Sequence, residues 1–72
     1  MLRLRKESDG HSATISITLR YTTMFITIEI DNALTDSAIS SYDTVRDADT
    51  ALVMLITKYE GAGYVVMEDW LT

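Results

Sequence analysis

The chain contains no cysteine and no proline among its 72 residues, and holds three glycines, one histidine, one phenylalanine and one tryptophan. Without cysteine, neither a disulfide framework nor a thiolate zinc site can form, so the fold must rest on packing or on self-association, and a reducing cytoplasm is favoured. Without proline, no turn carries the most rigid local marker, and reversals must be found from parity and polar residues. The longest apolar run, Ala51 to Ile56, falls well short of the roughly 20 residues of a membrane span. The opening MLRLRKESDG is basic but has no apolar stretch of the signal-peptide kind. A soluble cytoplasmic protein with no membrane partner is the expectation.

Positive charge is also scarce outside one short segment. Arg3, Arg5 and Lys6 are half of the six Lys and Arg residues, while from Tyr21 onward Arg46 and Lys58 stand against nine carboxylates. The main body is therefore an anion with a basic lip. Solubility alone is a sufficient reason for such a surface and comes first; as a recognition field it disfavours nucleic acid and favours a basic protein partner, a nucleic-acid-binding host protein included.

What is present is a globular composition, 47% hydrophobic and 24% charged, sized for a single domain over residues 1–72. Leu2 and Leu4 alternate with Arg3 and Arg5, and Asp9-Gly10 then supplies a hairpin turn. In HSATISITLRY, Ile15, Ile17, Leu19 and Tyr21 alternate with polar residues, as on a half-buried strand. In MFITIEI the apolar positions move to Met24, Ile26, Ile28 and Ile30. A continuous strand keeps its parity, so the chain must turn, and the turn is placed at Tyr21 to Thr23.

DNALTDS, residues 31 to 37, reads as a polar connection, and AISSYDTV as a short fourth strand or a loop. The period then changes. Val45, Ala48, Leu52, Leu55, Ile56 and Tyr59 follow the spacing of one helix face. Thr44 and Asp47 resemble a capping box, and Gly61 is read as the left-handed stop. YVVMEDW follows as a terminal strand. The expected fold is α+β, an antiparallel sheet of three to five strands in β-β-β-(β)-α-β order with one helix packed on one face.

The residues suited to chemistry do not assemble into a recognisable constellation. His11 has no partner motif and reads as a solvated turn residue. A calcium loop begun at Asp47 would put Leu52 where glycine is needed and Lys58 at the last ligand position. Gly61-Ala-Gly63 follows a helix and precedes a strand, the reverse of a phosphate cradle. Glu29 and Glu68 lie on strands with no pocket to shift them. No catalytic residue, cofactor or metal is expected.

Surplus apolar surface points instead to contact. Val53 and Met54 fall on the outward side of the helix, and Phe25 falls on the second face of MFITIEI. With the carboxylates of Glu29, Asp47, Glu68 and Asp69 they form the candidate protein-interaction set. Tyr42, Tyr64 and Trp70 suit core or interface, and core is the expectation for Trp70. The alternatives are a nucleic-acid module using Arg3, Arg5, Lys6 and Arg20, with Arg20 opposite the others across the first hairpin, and a subunit that only assembles, as in a homodimer.

The segment YDTVRDADTALVMLITKYEGAGYVV is similar in layout to the helix-then-Gly-aromatic-strand part of WGR domains, without their Trp-Gly-Arg triplet. It also resembles small acidic phage proteins, such as inhibitors of bacterial RNA polymerase, that set an acidic strand-helix-strand unit against a host protein. The second likeness implies a phage or mobile-element protein that inhibits or redirects a host protein.

Overall fold

A computed structural model describes residues 1–69. Its order is β1 (Leu2–Ser8), β2 (His11–Arg20), β3 (Thr23–Ile30), β4 (Ala33–Ser41), α1 (Val45–Gly61) and β5 (Val65–Asp69). The five strands form one sheet in the order β4-β3-β2-β1-β5, and each of its four ladders is antiparallel. The protein is an α+β fold of one sheet and one helix among the described residues. Trp70 lies outside them.

Two-residue turns set three of the registers. Asp9 and Gly10 both take positive φ, 52° and 78°, as the mirror-image hairpin turn requires, and Leu2 then faces Ile17 while Leu4 faces Ile15. Tyr21, at φ 55°, turns the chain into β3, close to where the parity change places it, and Ile17 faces Ile26. Asp31 and Asn32, at φ 51° and 67°, make a third hairpin.

That hairpin corrects the reading of DNALTDS as a connection. Only its first two residues turn; β4 begins at Ala33 and runs nine residues to Ser41. A bulge between Ile28 and Glu29 absorbs one extra residue of β4, and the Thr35 hydroxyl donates to the Ile28 carbonyl there at 3.1 Å.

The helix begins where its cap predicts. Thr44 is extended, and its side-chain oxygen accepts from the Asp47 N–H at 3.1 Å, satisfying one of the helix's orphan donors. Its stop differs from expectation. Gly61 is still helical, and the positive φ, 100°, falls on Gly63. A side chain there would make only ordinary contact with the Lys6 side chain, so it is the positive φ that calls for glycine at 63.

The core consists of Leu2, Leu4, Ile15, Ile17, Met24 and Leu52, with Ala51, Leu55, Ile56, Tyr59, Tyr42 and Tyr64 packed against it. Leu52 is the helical member of that cluster, and Ala48 is also fully buried. Val45, counted in the helix stripe, is 51% exposed because it sits in the first turn, beyond the side chains that cover Ala48 and Leu52. Ile30 is likewise exposed at the far end of β3.

Candidate interaction surface

Alternation places the side chains of Leu2, Leu4, Ile15, Ile17 and Met24 on one side of the sheet, so their neighbours in sequence point to the other. That open side carries, row by row across the ladders, Arg5, Thr14 and Glu29, then Arg3, Ser16, Thr27 and Ser37, then Thr18, Phe25 and Ile39. Hydroxyls fill its middle. Apolar side chains lie toward its margins: Phe25 and the 69% exposed Ile39 on the β3–β4 side, and exposed Val65 and Met67 on β5.

β4 is an edge strand whose nine residues are all exposed save half-buried Ser40. The direction of its backbone groups follows from two hydrogen bonds. The Tyr42 N–H donates inward to the Thr22 carbonyl at 2.9 Å, so the groups of Ser41, Ile39 and Ser37 point outward by the alternation of an antiparallel ladder. The Ser37 N–H agrees: it donates to Asp36 Oδ1 at 2.8 Å and not to a neighbouring strand. Asp36 thus folds its carboxylate over one outward donor of the edge. Beside it, Ile26, Ile28, Ala38 and Tyr59 line a shallow depression of about 120 Å³ on the helix side.

Charge divides along the sheet. Residues 21–45 hold four carboxylates, Glu29, Asp31, Asp36 and Asp43, and no Lys or Arg. The cations of β1 separate by face. Arg3 and Arg5 share an open hollow of about 340 Å³ with Thr14, Glu29, Asn32 and Met67, and Arg5 pairs with Glu7 at 2.8 Å. Lys6 is on the helix side, with Nζ 5.8 Å from the Tyr64 ring centre. Arg20 pairs with Thr23 and is not opposite β1: it lies four residues along β2 from Arg3's partner Ser16, roughly 13 Å away at about 3.3 Å per residue. These four cations do not form one patch.

The other residues singled out by sequence are dispersed. Phe25 and Glu29 share the open side on β3. Asp47 sits in the first turn of α1, and Val53 and Met54 are 61% and 68% exposed on the helix, away from the sheet. Glu68 and Asp69 face Arg3 and Leu2 in the β5–β1 register. Tyr42 and Tyr64 pack against the core, and Tyr64 meets Tyr59 edge to face at 5.6 Å.

Sequence reasoning missed the partner of His11. Its Nδ1 lies 2.7 Å from Asp31 Oδ2, while Asp31 Oδ1 accepts from the Ser12 N–H at 2.9 Å. The His11 hydrogen bond first, and the Ser12 N–H second, hold the Asp31 carboxyl below the usual carboxylate range. Among the described residues no three His, Cys, Asp or Glu side chains gather as a metal site would require, and no helix is long and apolar enough to cross a membrane. No family model, curated protein or solved structure matches the chain.

Proposed function

We propose that this protein is a non-enzymatic binding module that works by protein contact, using the uncovered β3–β4 side of its sheet. One observation carries the reading: large apolar side chains are left at that margin, Phe25 and Ile39 side by side and Leu34 further along β4 past the Thr27–Ser37 row, on a strand that has no neighbour on its outer edge among the described residues. Among the described residues, eleven large hydrophobic side chains are exposed, against seven hydrophobic residues in the buried core. Exposed apolar side chains next to an open strand edge are features that protein interfaces use. The same proposal takes the partner to be a basic host protein that is inhibited or redirected, in the cytoplasm, by a phage-like acidic protein. The all-negative charge of residues 21–45 supports the sign of that partner.

The test is affinity capture from an extract of the native host with the parent chain and with a Phe25→Thr, Ile39→Thr variant. Threonine keeps strand propensity and removes the apolar contact. Proteins retained by the parent and lost by the variant, with circular dichroism unchanged, are the expected result. Identical retention by both would remove the β3–β4 margin as the binding surface.

A further inference from the structure

Resting on that reading, we propose that the β4 edge accepts an extended, lysine- or arginine-bearing segment of another protein as a sixth strand of the sheet. Three features fix the chemistry of the occupant. The outward N–H and C=O groups of Ser37, Ile39 and Ser41 recur at every second residue, the spacing at which an added strand forms its ladder. On the open side, Ile39 beside Phe25 gives the incoming strand an apolar neighbour. On the helix side, the depression lined by Ile26, Ile28, Ala38 and Tyr59 has Asp36 in its wall. A long cationic side chain fits that arrangement, laying its methylenes over the apolar floor and bringing its charge to the carboxylate.

Asp36 then has two roles. Without a partner, its carboxylate occupies the Ser37 N–H and carries a negative charge on the edge, which blunts indiscriminate strand pairing. A cation in the added strand draws that carboxylate away and frees the donor. Charge also decides between occupants. A second copy joined edge to edge would bring Asp36, on a strand with no Lys or Arg, against the same acidic edge, whereas Glu29 shares its hollow with Arg3 and Arg5 and Asp31 is bonded to His11. A basic segment meets complementary charge along the same length.

The experiment titrates the ¹⁵N-labelled chain with a nine-residue, end-blocked peptide of alternating lysine and valine, with a glutamate–valine peptide as control. The expected result is amide shifts confined to residues 36–41 and Tyr59, slowed hydrogen exchange at Ser37, Ile39 and Ser41, and binding that weakens as salt rises. Ile39→Pro removes an outward donor that no internal ladder bond uses, and should weaken binding about tenfold or more. Asp36→Lys, on an exposed position that leaves the core intact, should reverse the preference toward the glutamate peptide. Shifts on β5 or the outer face of α1, equal binding of both peptides, indifference to Asp36→Lys, or no shift at millimolar peptide would each overturn the proposal. If the edge fails in this way while Phe25→Thr, Ile39→Thr still loses captured proteins, the broader reading stands without the sixth strand.

Discussion

β1 and β4 are both continuous strands of similar length, yet they have opposite surroundings. In β1, Leu2 and Leu4 are 1% and 0% exposed, because the strand lies between β2 and β5 and its inner side chains join the cluster that includes Leu52. In β4, Leu34 and Ile39 are 66% and 69% exposed, because among the described residues no strand lies on its outer edge and both point to the uncovered side. Apolar character therefore has a different meaning in the two strands. In β1 it is the material of the core. In β4 it is surface, and the strand is held mainly by its ladder with β3 and by the turn that delivers it.

The sharpest break of this contrast is a matched pair of truncations. Leu4→Ala removes a fully buried side chain and leaves a cavity, so urea denaturation should show a loss of about 3 kcal/mol. Leu34→Ala removes an exposed one and should stay within about 0.5 kcal/mol of the parent. Equal losses would mean that β4 is packed in solution, against a partner or another copy. The helix that supplies Leu52 to the covered half can be weakened from its end. Thr44→Ala deletes the oxygen that accepts the Asp47 N–H and should cost about 1 kcal/mol, with the fall in the 222 nm signal following the same unfolding transition.

How much of this contrast was legible in the sequence depends on the turns. Asp9-Gly10 announces itself, and a two-residue turn there by itself pairs Leu2 with Ile17 and Leu4 with Ile15. The parity change between Leu19 and Met24 requires a reversal. Had it been fixed at Tyr21-Thr22, the register would also have set Asp31 opposite Ser12, one residue from His11, and the missed pair would have been visible. β4 was obscured for a different reason. Its residues Ala33–Ser41 have little apolar alternation, since an edge strand exposed on both sides has no core to impose one, and Asp36 and Ser37 imitate loop composition. Capping chemistry was local and therefore readable at Thr44. The stop was not, because Gly61 and Gly63 are equally permissive in sequence, and only the path of the chain into β5 puts the positive φ on Gly63. The site shared that fate: Phe25 could be put on the second face from parity, while the outward amides of β4 require the strand itself.

The smallest effect concerns the tie between the two regions. Asp31 opens the turn into β4, and its carboxylate reaches back to His11 and to the Ser12 N–H at the start of β2. Because these bonds favour the charged form, its pKa in the folded chain lies below that in the unfolded chain. The folded state thus binds this proton less readily, and the stabilisation is fully present above the unfolded value and is lost as pH falls through the lowered folded value. The pair is exposed, so the effect is modest. Asp31→Asn should lower stability modestly in the neutral region, with the difference from the parent shrinking as pH falls through the carboxylate range, so that the two curves converge in acid and the variant's acid limb is flatter. It should also speed amide exchange at the start of β4 more than in β1, since the lost bonds anchor the turn and not the core. An acid limb identical to the parent's, with β4 exchange unaltered, would show that the turn holds β4 through its backbone alone.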